Sequence, residues 1–166
     1  PRVAVNLSAQ QFRDPQLSDL VRNAMAESGI EPGLLELEIT ESAAMDDVEQ
    51  TVSILAGLRN LGLHLSIDDF GTGYSSLSYL RRFEVDSIKI DKSFVDDIGR
   101  DPNADAICNA IVGLGHSLGK RVVAEGVETE EQLAFLKATG CQEIQGYLFG
   151  RPEPATEFAQ KLARRD

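Results

Sequence analysis

The sequence has few cysteines, no tryptophan and a deficit of basic residues, and these shortages exclude several classes of protein. Only Cys108 and Cys141 occur among the 166 residues. They lack the paired spacing of a metal or redox motif, so we expect reduced thiols. Sixteen Lys and Arg residues stand against 27 Asp and Glu residues, which gives a net charge of −11. Because nucleic acids and anionic membranes need a basic surface, neither DNA nor RNA is an expected partner.

Long apolar runs are also absent. No stretch approaches the roughly 20 apolar residues of a membrane-spanning helix, and no signal peptide begins the sequence. We therefore expect no direct membrane insertion of this segment and a cytoplasmic location, which is compatible with the cytoplasmic part of a larger, membrane-anchored protein. Apolar residues make up 42% of the chain, which is enough for the core of one domain.

The chain instead contains a regular alternation of short β-forming runs and amphipathic segments. The predicted strands are residues 3–6, 35–40, 65–68, 87–91, 121–126 and 143–149. The amphipathic segments include residues 16–29 and 104–119, which end at Gly29 and Gly119, as helices often do. Six consecutive βα units predict a parallel sheet that is either open or closed into a barrel.

Apolar and polar residues alternate within each predicted strand, and this alternation favours the barrel. Leu37 and Ile39 share one face of their strand, whereas Glu36 and Glu38 share the other. An open doubly wound sheet would cover both faces with helices, where such carboxylates are costly. In a (β/α)8 TIM-like barrel, the inward residues at the carboxyl ends of the strands meet at one mouth. The residues expected there are Asn6, Glu38, Asp68, Lys89, Glu125 and Gln145.

The segment "IDDFGTGYSSL" places Asp68 and Asp69 immediately before a glycine-rich turn. Such a turn can cradle phosphate with its backbone N–H groups, but two aspartates would repel an anion unless a cation lay between them. A dinucleotide-binding fingerprint is an alternative, because Asp91 follows Gly71 by 20 residues. The third glycine of that fingerprint is replaced by Ser76, however. Metal binding is the favoured interpretation.

The side chains predicted at the mouth offer only oxygen ligands, apart from one lysine. They are the carboxylates of Glu38, Asp68, Asp69 and Glu125 and the amide of Asn6. Such a set suits Mg²⁺ or Mn²⁺ and does not suit zinc. Asp68 can bridge two cations while Asp69 serves one of them, an arrangement that clamps a phosphoryl group during attack by water. Lys89 would then orient or polarise that water.

Six segments of the sequence resemble the EAL-domain family of cyclic di-GMP phosphodiesterases and occur in the family's order. They are "VNLS", "LEITES", "DDFGTGYSSL", "IKIDKSFV", "VVAEGVET" and "QGYLFGRPEP", all within the stretch from Val3 to Pro154. The resemblance implies a (β/α)8-type barrel that hydrolyses cyclic di-GMP to linear pGpG in bacterial second-messenger signalling. It also implies a two-metal site that uses Mg²⁺ or Mn²⁺.

The same resemblance implies a role for each residue that matches a family motif. The implied metal ligands are Asn6, Glu38, Asp68, Asp69 and Glu125. The implied catalytic residues are Lys89, which orients the water, Glu125, a candidate base, and Gln145. The implied substrate and loop residues are Glu41, Gly71, Thr72, Gly73 and Glu128. The loop from Asp69 to Ser76 resembles the family's flexible active-site and dimer-contact loop, anchored by Glu41 and Glu128, so a homodimer is an expected assembly.

The sequence departs from the family in one respect, because the Glu-Ala-Leu motif that names it is absent. A repeat averages about 28 residues here, so we expect about six of the eight βα repeats of a barrel. Residues 1–166 are accordingly expected to form an N-terminally incomplete phosphodiesterase domain of a protein with other sensor or signalling domains. Two functions remain open: a hydrolase, whose activity as this segment alone is expected to be slow or absent, and a catalytically inactive cyclic di-GMP receptor. The intact motif acids favour the hydrolase.

Overall fold

The computed structural model describes residues 2–73 and 77–162, and in this part of the chain six parallel strands form one sheet. The strands are β1 (Val3–Leu7), β2 (Leu35–Thr40), β3 (His64–Phe70), β4 (Ser87–Ile90), β5 (Arg121–Ala124) and β6 (Glu143–Ile144). Each strand pairs with the next one in sequence, in the order β1-β2-β3-β4-β5-β6. This is the strand order of a partial (β/α)8 fold, and it confirms the predicted fold class.

Helices connect the strands. They are α1 (Ala9–Phe12), α2 (Leu17–Ser28), α3 (Glu41–Asp46), α4 (Val48–Arg59), α5 (Leu77–Leu80), α6 (Lys92–Asp96), α7 (Pro102–Ser117), α8 (Glu130–Thr139) and α9 (Ala155–Leu162), with a 3-10 turn at Pro32–Leu34. The two predicted amphipathic helices are confirmed as α2 and α7. Gly29 ends α2 in the left-handed conformation, with a φ of 68°. None of the described helices has the length and apolar character needed to cross a membrane.

The predicted alternation within the strands is confirmed for β2 to β5. Residues on one face pack under the helices with no exposed surface, namely Ile39, Leu65, Ile67, Ile88, Ile90 and Val122. Residues on the other face point into the barrel interior and are polar, apart from Val123 of β5. The apolar residues of β1 differ, because Val3 and Val5 remain 53% and 43% exposed. Cys108 and Cys141 are buried as free thiols.

Strand β6 is shorter than the predicted run of residues 143–149, because the chain turns away from the sheet after Ile144. Gln145 still accepts a hydrogen bond from the Val127 amide at 3.1 Å, and the Leu148 amide donates to the Val127 carbonyl at 3.0 Å. Gly146 lies directly against Val127, where a Cβ atom would be 2.1 Å from the carbonyl oxygen. The backbone of Val127 therefore holds a tight turn where the sequence pattern predicted a longer strand.

Asp86 connects the amino ends of three strands. Its carboxylate accepts hydrogen bonds from Arg59 at 2.6 Å and from the Leu65 amide at 3.0 Å, and His64 Nδ1 lies 3.4 Å away. Its backbone N–H donates to the Leu65 carbonyl, and its own carbonyl accepts from the Arg121 amide. Burial by itself raises the pKa of Asp86, but the bonds from Arg59 and Leu65 outweigh it, so the pKa is below its usual range.

We expect Asp86→Ala to lower the free energy of unfolding by about 2 kcal/mol, because hydrogen bonds to a partly buried carboxylate are lost. Asp97→Ala, at an exposed position after α6, is the control and should change stability by less than about 0.5 kcal/mol. Urea unfolding measures both.

The stabilisation from Asp86 should depend on pH in one direction. Because the folded pKa is lowered, the contribution is fully present above about pH 4, the ordinary pKa of aspartate, and is lost as the pH falls through the folded pKa. The difference in the free energy of unfolding between wild type and Asp86→Ala should therefore become smaller as the pH is lowered. If this difference in the free energy of unfolding stayed constant down to pH 2, the lowered pKa of Asp86 would be contradicted.

Candidate functional site

Three of the predicted site residues contact the side chain of Lys89 near the carboxyl ends of the strands. The Lys89 ammonium lies 2.6 Å from Glu38 Oε1, 2.5 Å from Glu125 Oε1 and 3.4 Å from Asp68 Oδ1. These groups come from β2, β3, β4 and the residue that follows β5. Only 6% of the Lys89 side chain is exposed. The structure therefore brings four predicted site residues into one buried ionic cluster.

Electrostatic interactions keep Lys89 charged in this cluster. Burial lowers the pKa of its ammonium, but the hydrogen bonds that the ammonium donates to Glu125 and Glu38 and the charge of Asp68 outweigh that effect, so the pKa is raised well above its usual range. The pKa of Glu125 is also raised, first by burial and then by the negative charges of Asp68 and Glu38, while Lys89 opposes the shift. Three carboxylates thus share one cation, which leaves the cluster with an excess of acid.

A bulge in β3 brings two consecutive aspartates to the site. Between its pairs with β4 at Ile67 and Phe70, β3 has one more residue than its partner strand. Both of these apolar residues belong to the hydrophobic core. In a regular strand, Asp68 and Asp69 would point to opposite faces. Asp69 instead adopts a left-handed conformation with a φ of 53°, which is uncommon for a residue other than glycine.

Asp69 lies among other charged groups, including an acid whose place in the site the sequence interpretation missed. Burial raises the pKa of Asp69, and the negative charges of Asp68 and Asp91 raise it further, while Lys89 opposes the shift. Asp91 also caps α6 by accepting from the Ser93 amide. The signal was available in the sequence, because Asp91 lies two residues after Lys89 and so shares its face of the strand.

Glu41 anchors the loop that follows β3. Its carboxylate accepts hydrogen bonds from the amides of Gly71 at 2.8 Å and Gly73 at 3.4 Å. Glu41 is fully buried at the first position of α3, where the helix dipole favours a negative charge. The Thr72 hydroxyl donates to the Asp69 carbonyl at 2.8 Å. The predicted loop extends to Ser76, and residues 74–76 lie outside the described part of the chain.

The other predicted site residues lie around this cluster. Asn6 is exposed and pairs in register with Glu38 across β1 and β2. Gln145 follows β6, where its amide donates to the Ala124 carbonyl at 2.9 Å. A cavity of about 290 Å³ lies in the barrel interior between Glu38, Lys89 and Gln145 and extends toward the amino ends of the strands. This open volume therefore lies on the side of the ionic cluster that faces the amino ends of the strands.

Glu128 has a partner that the sequence interpretation did not identify. Its exposed carboxylate lies 3.0 Å from the Lys92 ammonium, at the start of α6. The described contacts of the loop, at Gly71 and Gly73, are made by Glu41 instead. Anchoring of the loop by Glu128 stays a prediction, because the predicted loop includes residues beyond the described ones.

The donor set at the mouth suits a hard divalent cation, because carboxylate and amide oxygens are its preferred ligands. In the conformation described for residues 2–73 and 77–162, however, no three His, Cys, Asp or Glu side chains could hold a metal ion together. The converging carboxylates contact Lys89 instead. A cation that takes oxygens from Glu38, Asp68 or Glu125 must therefore compete with Lys89 for them.

Comparison with known proteins identifies the family. The family model described as the EAL domain matches residues 1–152. This chain belongs to the EAL-domain family. The domain is 49% identical over 161 residues to MucR of Pseudomonas aeruginosa, a bifunctional diguanylate cyclase/cyclic di-GMP phosphodiesterase, and the match covers 97% of this chain and 24% of MucR. It is 41% identical over 163 residues to the cyclic di-GMP phosphodiesterase PdeR of Escherichia coli, and this match covers 98% of this chain and 25% of PdeR.

Solved structures of EAL domains have the same fold. The MucR phosphodiesterase in complex with cyclic di-GMP superposes with a TM-score of 0.92 at 50% identity, over 95% of this chain and 64% of that one. BlrP1 of Klebsiella pneumoniae, in a complex with manganese and cyclic di-GMP, superposes with a TM-score of 0.82 at 38% identity. The match covers 91% of this chain and 39% of the BlrP1 chain. This EAL domain spans about a quarter of the length of the curated relatives MucR and PdeR.

We expect Gly71→Ala to destabilise the EAL domain by about 2 kcal/mol, because alanine is strained at a positive φ and has no space there. Gly71 has a φ of 101°, and a Cβ atom would lie 2.9 Å from Phe94 Cε2. Gly113, inside α7, is the matched control because a Cβ atom there has nothing within 4 Å. Gly113→Ala should stabilise by about 0.5–1 kcal/mol. Thermal unfolding distinguishes the two, and equal shifts of one sign would contradict this account of the loop.

Proposed function

We propose that this EAL domain is a cyclic-guanylate-specific phosphodiesterase that hydrolyses cyclic di-GMP to linear pGpG in bacterial second-messenger signalling. The observation that carries the proposal is the convergence of Glu38, Asp68 and Glu125 on Lys89 at the mouth of the barrel. The relatives MucR and PdeR are named cyclic di-GMP phosphodiesterases, and the MucR and BlrP1 structures contain that dinucleotide. They support the choice of substrate.

The proposed cofactor is a pair of Mg²⁺ or Mn²⁺ ions. The residues that would hold them are Asn6, Glu38, Asp68, Asp69 and Glu125. When bound, the two cations would lower the pKa of a water molecule and neutralise charge on the phosphoryl group. The bulge in β3 supports this proposal, because it gives Asp69 a left-handed conformation in which its carboxylate interacts with the charges of Asp68 and Lys89. The manganese in the BlrP1 complex supports it as well.

The chain's own residues would orient and deprotonate the attacking water. Lys89 is held by its contacts with Glu38 and Glu125, so the remaining N–H of its ammonium can donate a hydrogen bond to a water molecule in a defined direction. Glu125 lies in the same cluster and can accept the proton of that water. Gln145 lines a pocket together with Glu125 and can bind the substrate beside that carboxylate. Glu41 would hold Gly71 and Gly73, and the loop would in turn fix Asp69 through Thr72.

A receptor that binds cyclic di-GMP without cleaving it is the alternative. One observation favours it: the carboxylates at the mouth contact Lys89, and within the described residues no three acids are arranged to hold a metal ion. Against it stands the presence of Glu38, Asp68, Asp69 and Glu125, since every motif acid that this part of the domain should carry is intact and only the glutamate of the Glu-Ala-Leu motif is missing from the sequence. We therefore give the hydrolase precedence.

We propose further that the domain acts in the cytoplasm as one part of a longer signalling protein. The multidomain length of MucR and PdeR supports this view, since the domain matches about a quarter of each. Residues 1–166 would supply about six of the eight βα repeats of the barrel. The loop from Asp69 to Ser76 would contact a second copy in a homodimer.

Substituting Asp68 tests the metal site. Asp68→Asn keeps the size of the side chain and removes its charge, so we expect turnover of the intact protein to fall by at least about 100-fold while the domain stays folded. Asp97→Asn, at an exposed position, is the control and should leave turnover unchanged. Chromatography of pGpG measures turnover, and circular dichroism measures folding. Wild-type turnover in Asp68→Asn would overturn the two-metal assignment.

The fate of the dinucleotide separates the two functions. With Mg²⁺ or Mn²⁺ present, the hydrolase should convert cyclic di-GMP to pGpG in proportion to time, and a chelator should stop the reaction because the proposed cations are removed. A receptor should bind the cyclic dinucleotide, detected by calorimetry, and return it unchanged. Full recovery of cyclic di-GMP after prolonged incubation of the intact protein with both metals would reject the hydrolase.

A further inference from the structure

Lys92 lies across the backbone of Gly126. A Cβ atom at Gly126 would lie 2.3 Å from Lys92 Cγ and 2.7 Å from Lys92 Cδ, which is closer than atoms can approach. Gly126 also has a φ of 74°, in the region that favours glycine. The aliphatic part of Lys92 therefore packs directly on the peptide backbone at a position where no other residue fits without displacement.

The ammonium of Lys92 extends beyond Gly126 to two carboxylates. It lies 2.5 Å from Asp96 Oδ1, on the same helix, and 3.0 Å from Glu128 Oε1. The Lys92 side chain is 48% exposed and both carboxylates are 44% exposed. Ion pairs that are so accessible contribute little by themselves. The contact between the aliphatic stem and Gly126 is thus the more specific of the two interactions.

The backbone beneath Lys92 carries a residue of the proposed active site. Gly126 directly follows Glu125, whose carboxylate lies 2.5 Å from the Lys89 ammonium. Gly126 lies between two residues whose amides are hydrogen-bonded to other segments. The Glu125 amide donates to the Ile90 carbonyl at 3.3 Å, and the Val127 amide donates to the Gln145 carbonyl at 3.1 Å. A rotation of the backbone at Gly126 would therefore turn the Glu125 side chain relative to Lys89.

We propose that Lys92 is a positioning residue for Glu125, because its stem fixes the backbone conformation at Gly126. The inference rests on the proposed hydrolase and deepens it. Lys92 takes no part in the chemistry itself. Strand β4, which carries Lys89, ends at Ile90, and helix α6 begins two residues later at Lys92. The short segment between them therefore fixes the position of Lys92 relative to Lys89, and the contact of Lys92 with Gly126 relates that position to Glu125.

Three variants of the intact protein separate the stem of Lys92 from its charge. Lys92→Ala removes both, Lys92→Met keeps most of the stem and removes the charge, and Lys137→Ala removes an exposed lysine of α8 as the control. We expect kcat of Lys92→Ala to fall about tenfold with KM within about twofold, because a misplaced Glu125 slows the chemical step. Lys92→Met should keep kcat within about twofold of wild type, and the control should match wild type.

Crystal structures of wild type and Lys92→Ala supply a second readout that needs no turnover. We expect the Glu125 carboxylate to move away from Lys89 in the variant. An unchanged Glu125, an unchanged kcat in Lys92→Ala, or an equal loss in Lys92→Met and Lys92→Ala would each overturn the proposal. If the wild type forms no pGpG, the proposed hydrolase fails, and the position of Glu125 in the two structures still decides whether Lys92 positions it.

Discussion

The arrangement of the whole site depends on one buried charge, the ammonium of Lys89. A buried lysine is costly unless carboxylates pair with it, and clustered carboxylates repel each other unless a cation lies among them. Glu38, Asp68 and Glu125 meet that requirement from three different strands or strand ends. The cluster can form only when these strands lie in the observed parallel register, so the ionic contacts and the sheet specify each other.

Much of this arrangement was predictable because its signals are local. Each strand shows the alternation of apolar and polar residues, and parallel strands present their carboxyl ends at one edge. Ile67 beside Asp68, and Ile88 beside Lys89, are enough to assign one residue to the core and the other to the barrel interior. The sequence therefore predicts the barrel-like fold and the convergence of the charged residues without any knowledge of their distances.

The remaining features depend on contacts between segments that are distant in sequence. The left-handed Asp69 results from the unequal pairing of β3 and β4, and no local pattern indicates which strand has the extra residue. The early end of β6 depends on the approach of Gly146 to Val127. The contact of Lys92 with Gly126 joins residues 34 positions apart. In each case a glycine or a positive φ marks the position, but only the folded structure shows the neighbour.

Asp86 and the ionic cluster lie at opposite ends of the same strands. Asp86 joins the amino ends of β3, β4 and β5, and its contact at Leu65 lies about 10 Å along β3 from Asp68, at the usual rise per residue. Free-energy effects at sites so far apart usually add, since they share no partners. Substitutions around Asp86 can therefore change how much heat this domain withstands while its charged mouth stays unaltered.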